Sequence, residues 1–193
     1  MRHRLPLAIT VAVKAALVSL LVFGALRQDL SQFHGKAMTG RALTYPIAAL
    51  IVPAIVLLLR RRGRQTAYPY DVDVLIVLPF LIDVLGNALN LYDTISWWDD
   101  LNHAVNWALL VGGVGCLILR SRLTPLVAAG LLIGFGTVTA VLWEFAEYWT
   151  FIRHSKELAT AYADTLGDLA LGMTGTVVAT GVTVVRLRRG RHG

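Results

Sequence analysis

Residues 98–119 read WDDLNHAVNWALLVGGVGCLIL. Beyond its opening acids this stretch has about the 20 residues that cross a hydrocarbon core of roughly 30 Å at 1.5 Å per residue. Asp99, His103 and Asn106 stand at i, i+4 and i+7, which places them on one helical face. A polar stripe on an otherwise apolar helix cannot face lipid, so it turns toward neighbouring helices. The stretch therefore predicts a bundle of membrane helices with a polar interior.

The flanking sequence extends this reading. Apolar runs lie at 5–26, 43–59, 72–91, 101–119, 123–149 and 165–185. The second is short and needs little tilt; the fifth is long and tilts or projects from the bilayer. The 193 residues are 56% hydrophobic and 16% charged, against roughly 45–50% and about 25% for soluble domains. That balance excludes disorder and an ordinary water-soluble domain. With no alternating barrel pattern, the spans are helices. The expectation is an all-α, polytopic transmembrane helical bundle of about six spans, a single integral-membrane domain over 1–193 without repeat or linker.

The net charge of +6 does not make a nucleic-acid surface, because the basic residues fall between apolar runs. With the N-terminus inside, the inner segments hold Arg2 and Arg4, then Arg60, Arg61, Arg62 and Arg64, then Arg120 and Arg122, then Arg186, Arg188, Arg189 and Arg191. The outer segments hold only Arg27, Lys36, Arg41, Arg153 and Lys156, and Lys14 lies within the first span. This bias predicts an N-in, C-in topology. The start also resembles a signal peptide, but the run is long, Lys14 interrupts it and no A-x-A site follows, so a retained span is expected. Cys116 is a single cysteine, which excludes an internal disulfide framework and a Cys-rich zinc site.

In this topology acidic groups gather at the outer end of spans 3 to 6. Span 3 carries Asp83, Asn87 and Asn90; span 4 opens with Asp99, Asp100 and His103; span 5 ends with Glu144 and Glu147; span 6 opens with Asp164 and Asp168. Asp99, Asp100 and Asp164 also read as helix caps. That reading does not cover Asp168 a turn deeper, Glu144 and Glu147 at a helix C-terminal end, or Asp83 near mid-span. Carboxylates this close must share protons or a cation. Arg153 and Lys156 are near enough to reach in; a divalent metal is the economical answer. One imidazole with carboxylates suits zinc, manganese or iron, and oxygen-only ligation suits magnesium or calcium. The candidate ligands are Asp99, Asp100, His103, Glu144, Asp164 and Asp168, and the candidate catalytic carboxylates are Glu147, Glu144 and Asp83. The five tryptophans read as interfacial or packing residues, His34, His154 and His192 as solvated, and Pro46, Pro53 and Pro79 as kinks. Glycines at 112, 113, 115, 130, 134, 136, 172 and 175 permit close helix approach.

The ordered set Asp99-x-x-x-His103, Glu144-x-x-Glu147 and Asp164-Thr165-x-x-Asp168, followed by Gly172 and Gly175, resembles the YjdF-like family of bacterial inner-membrane proteins and, more distantly, the VanZ-like membrane proteins. The resemblance covers roughly Asp71 to Val185. It implies a multi-pass protein of the bacterial inner membrane and the same choice of polar residues, and it supplies no reaction. Three functions fit the residues. The first is a metal-dependent (Zn, Mn or Mg) membrane hydrolase or lipid-modifying enzyme acting on a membrane lipid at the outer leaflet. The second is an ion- or proton-coupled transporter, and the third is a structural membrane protein with a polar core. No G-x-S-x-G or H-E-x-x-H motif is present.

Overall fold

The computed structural model describes residues 4–150 and 152–190. The side chains of His154, Lys156 and Glu157, and the expectations placed on Arg2, Lys156, His154, Arg191 and His192, lie outside the described residues. Every regular element among those described is helical: α1 (Arg4–Leu26), α2 (Met38–Arg61), α3 (Tyr70–Ala88), the single-turn α4 (Leu91–Thr94), α5 (Trp98–Ile118), α6 (Pro125–Thr150) and α7 (Ala161–Arg189). Two short 3-10 turns, Ile152–His154 and Lys156–Ala159, join α6 to α7. Among the described residues, five helices are long and apolar enough to cross a membrane: α1, α2, α5, α6 and α7. α3 has 19 residues but carries Asp71, Asp73 and Asp83.

Helix ends follow local chemistry. Thr124 accepts a hydrogen bond from the Val127 N–H, and Pro125 takes the first helical position, where its missing N–H is no loss. α3 stops because Asn90 turns left-handed at φ 57°, a conformation asparagine tolerates. α2 runs through Pro46 and Pro53 as one element, and α3 through Pro79. α7 begins at Ala161, which puts Asp164 in its first turn, where the helix dipole favours a carboxylate.

The chain forms two compact units, Met1–Asn90 and Leu91–Gly193. In the first, α1 packs against both α2 and α3. Leu17, Leu21, Phe33, Met38, Val72, Val77 and Val84 fill its core. Gly24 leaves room for Met38 and Phe33 to fold over the end of α1; a Cβ there would strike the Met38 methyl. Two charge pairs are buried among these helices, both on α3. Lys14 of α1 donates to Asp73 Oδ2 at 2.6 Å, and the Tyr68 hydroxyl donates to the same oxygen. Burial, and then this bond, hold the Tyr68 phenol above its ordinary range, so it stays a neutral donor. Arg41 Nε of α2 lies 3.0 Å from Asp83 Oδ2, and the Tyr45 hydroxyl donates to that oxygen at 2.6 Å.

The second unit is centred on α5 and α7, with α6 packed against both. Gly175 of α7 lies against the backbone of α5: a Cβ there would collide with the Ala104 carbonyl oxygen. Gly136 of α6 receives the Thr176 side chain in the same way, and Gly115 of α5 receives Thr183. Below these contacts Val111, Ile118, Ala128, Leu132, Ala179 and Leu187 form a buried apolar cluster. Leucine, valine and phenylalanine side chains remain exposed along α6 at Leu126, Leu131, Val138, Leu142 and Phe145. An apolar exterior of this extent belongs in lipid.

Two expectations follow. Gly175→Ala forces α5 and α7 apart and lowers stability by about 1–3 kcal/mol, the range for overpacking, whereas Gly181→Ala, which meets open space, leaves it unchanged or raises it. Thermal unfolding in detergent reads both. Lys14→Met strands a buried Asp73 carboxylate and costs about 3–5 kcal/mol; adding Asp73→Asn restores a large part of it. Equal midpoints for the single and double variants would contradict the pairing.

Candidate metal centre

Three helices of the second unit each contribute one end of the site. α5 presents Asp99 and His103 one turn apart, α6 presents Glu144 and Glu147 in its last two turns, and α7 presents Asp164 and Asp168 in its first two. The glycine contact at Gly175 draws α7 onto α5 two turns beyond Asp168. Asp168 of α7 therefore meets the imidazole of α5. His103 Nε2 lies 3.6 Å from Asp168 Oδ1 and 3.8 Å from Asp99 Oδ1; His103 Nδ1 lies 3.9 Å from Glu144 Oε1.

These separations exceed a good hydrogen bond. The Nε2 separations from Asp168 and Asp99 are near what ligands around one ion require, since bonds of about 2.0–2.1 Å in a tetrahedron set donor atoms roughly 3.4 Å apart; Glu144 lies against the other ring nitrogen. Among the described residues, one donor atom each from His103, Glu144, Glu147 and Asp168 fall within 4.8 Å of one another. A second set, Asp99, Asp164 and Asp168, meets the same limit and shares Asp168 with the first. His103, Glu144 and Asp168 are buried, Glu147 is half-buried, and Asp99 and Asp164 open to the exterior. The cluster thus has an enclosed floor and an open rim. Five carboxylates surround one imidazole, and their charge has to be balanced by protons or a bound cation.

An aromatic floor fixes the imidazole. The Trp107 ring stacks parallel to His103, with centroids 5.7 Å apart and planes within 4°. Trp107 Nε1 donates to the Gly136 carbonyl at 3.0 Å, and Gly172 lies flat beneath the indole. Trp143 closes on Trp107 edge-to-face at 6.2 Å. Beside it, Asn102 donates to the Tyr92 hydroxyl at 3.1 Å and accepts from Asn106 at 3.4 Å. The face of α5 that reads as Asp99–His103–Asn106 therefore also includes Asn102 and Trp107.

The residues singled out in the sequence fall as follows. His103, Glu144, Glu147, Asp164, Asp168 and Asp99 come together. Asp100 is exposed and belongs to neither donor set; one turn of helix brings Asp99, and not its neighbour, to His103. Asp83 lies in the first unit, bonded to Arg41 and Tyr45. The Arg153 guanidinium rests over the Trp149 ring, 4.6 Å from its centroid. Sequence reasoning did not single out Lys14 with Asp73, Arg41 with Asp83, or Trp107 as the plate under the imidazole. Only Trp107 carries a local signal, standing at i+4 from His103.

A family model described as "Predicted membrane protein (DUF2238)" matches residues 9–189. An uncharacterized protein of Thermotoga maritima is 30% identical over 116 residues, covering 58% of this chain and 60% of the relative. The match thus spans less than two thirds of that relative's length. No solved structure matches the chain.

Trp107→Phe keeps a ring beneath His103 but removes the bond to Gly136. The expected outcome is a loss of about 0.5–1.5 kcal/mol in stability, read as a lower unfolding midpoint in detergent. An unchanged midpoint would remove Trp107 from the frame of the site.

Proposed function

Because the chain belongs to the DUF2238 family of membrane proteins, we propose that its acidic cluster is the divalent-metal site of a membrane hydrolase or lipid-modifying enzyme. The observation that carries this reading is the convergence of His103, Glu144, Glu147 and Asp168 from three helices within 4.8 Å. His103, Glu144 and Asp168 hold the ion, and Asp99 and Asp164 steer or share it at the rim. Zinc or manganese suits the mixed imidazole and carboxylate set, and magnesium suits the oxygen-rich rim. A divalent ion held there would supply Lewis-acid activation of water, and Glu147, half-buried beside the ligands, would be placed to act as general base.

α3 completes six spans in this reading, with both termini on the cytoplasmic side of a bacterial inner membrane. The cluster then stands at the outer leaflet, at headgroup depth, and a lipid substrate enters laterally from the bilayer. A second reading, ion- or proton-coupled transport, is favoured by the two buried charge pairs of α3, because buried ionisable groups in membrane helices are common parts of ion paths.

Elemental mass spectrometry on the detergent-purified protein tests the metal reading. Near-stoichiometric metal is expected in the wild type and in Asp100→Asn, with loss in His103→Ala and Asp168→Asn, all four checked for folding. A wild type that takes up no metal after incubation with zinc, manganese and magnesium sinks the metalloenzyme. Proton flux in liposomes then becomes the measurement that decides for transport.

A further inference from the structure

The turn between α2 and α3 holds charges that the metal site does not use. Arg60, Arg61, Arg62 and Arg64 stand within five residues, and no carboxylate occurs between Arg60 and Tyr70. Arginines at a helix C-terminus ordinarily answer the negative end of the helix dipole and its open carbonyls. Here the backbone has already closed that end. The Arg62 N–H donates to the Leu58 and Leu59 carbonyls, the Gly63 N–H to Arg60 and the Arg64 N–H to Leu59. Gly63, at φ 76°, makes the reversal. Among the described residues these four arginines form no ion pair.

They do form a cleft. Arg60, Gly63, Arg64, Gln65 and Thr66 line a volume of about 350 Å³, within the range of small-ligand pockets. Arg60 Nη2 donates to the Thr66 carbonyl at 3.1 Å, which steadies the guanidinium. The Thr66 hydroxyl oxygen is buried and has no hydrogen-bond partner. A buried hydroxyl without a partner is unusual enough to ask what completes it.

We propose that this cleft binds a phosphate group, through the guanidiniums of Arg60 and Arg64 and with the Thr66 hydroxyl as a further donor. Two guanidinium forks and a hydroxyl suit a tetrahedral oxyanion with several acceptors better than a single carboxylate. The apolar stretch of α2 ends at Leu59, directly before the cleft. That places the arginines at the depth of phospholipid phosphates, where basic pockets beside membrane helices hold anionic headgroups. A phospholipid headgroup and free inorganic phosphate present the same chemistry, and the experiment separates them.

The full chain in a neutral detergent is titrated with phosphatidylglycerol, with a neutral diglucosyl lipid and with inorganic phosphate against chloride at matched ionic strength. Native mass spectrometry and the unfolding midpoint are read together. The variants are Arg60→Gln/Arg64→Gln, Thr66→Val and, as a charge-matched control, Arg186→Gln/Arg188→Gln. Phosphatidylglycerol binding is expected to weaken by about tenfold in the arginine pair of the cleft, by less in Thr66→Val, and not at all in the control. Inorganic phosphate that displaces the lipid, with the same dependence on Arg60 and Arg64, identifies free phosphate as the ligand; failure to displace identifies the headgroup. Equal weakening in cleft and control variants, or no binding of either probe, overturns the proposal. Should the arginine pair fail to fold, Thr66→Val carries the test, and unchanged binding in it overturns the assignment of the hydroxyl and with it the cleft.

Discussion

The close contact between α5 and α7 is what the second unit depends on. Gly175 lies against the Ala104 carbonyl with no space for a methyl group, so two helix backbones meet almost directly. In lipid, apolar side chains gain little by leaving one hydrocarbon surface for another, and helices associate where small residues allow this kind of approach. His103 precedes Ala104 by one residue, and Asp168 lies two turns before Gly175. The glycine therefore sets the spacing of the imidazole and its nearest carboxylate. Thr176 fitted into Gly136 and Thr183 fitted into Gly115 extend the same close packing to α6 and along α5.

The two units treat buried charge in opposite ways. In the first, each buried carboxylate has a cation and a tyrosine hydroxyl: Lys14 and Tyr68 for Asp73, Arg41 and Tyr45 for Asp83. Each pair sets a cation against its carboxylate, although Asp73 Oδ1 is buried with no hydrogen-bond partner. In the second, among the described residues, one imidazole stands among the carboxylates of Asp99, Glu144, Glu147, Asp164 and Asp168. An arrangement of that composition would be poor as a structural device, because unbalanced charge in a low-dielectric site is costly. Its persistence in a bundle otherwise packed on glycine and small residues is the reason to read it as a site.

Much of this was legible in the sequence, and the parts that were not share a cause. The helical class follows from run length and composition, because lipid leaves the backbone no other solution. Asp99 and His103 pair by spacing alone, one turn apart on one helix. Glu144 and Asp168 join them because polar faces cannot point outward, an argument that gives direction without distance. Asp99 and Asp100 stand four and three residues before His103, both within reach of its face; the structure brings Asp99 to 3.8 Å from the imidazole and leaves Asp100 outside both donor sets. The pairs Lys14–Asp73 and Arg41–Asp83 span 59 and 42 residues. No local pattern encodes contacts of that range, so Asp83 read as a lone acid when a counter-ion from α2 already answered it. Helix ends shifted for local reasons: Asn90 halts α3 early, and α7 takes in Asp164 as part of its first turn.

The ion pairs of α3 also bear on how the protein is made. A ribosome delivers α1 and α2 to the membrane before α3, so Lys14 and Arg41 are in place before Asp73 and Asp83 emerge. Alone, α3 brings three carboxylates, Asp71 and Asp73 in its first turn and Asp83 deeper in the helix; in the six-span reading Asp83 is the one that bears most of the ~2.5–3.5 kcal/mol cost of a charge near the centre of a helix in hydrocarbon. Against two earlier helices that already hold the matching cations, two of those charges arrive as partners. In the six-span reading proposed above, α3 is a helix whose entry its predecessors license, and synthesis order becomes part of the fold: a chain rearranged so that α3 came first would present the translocation machinery with a segment that is not among the five apolar enough to cross by themselves.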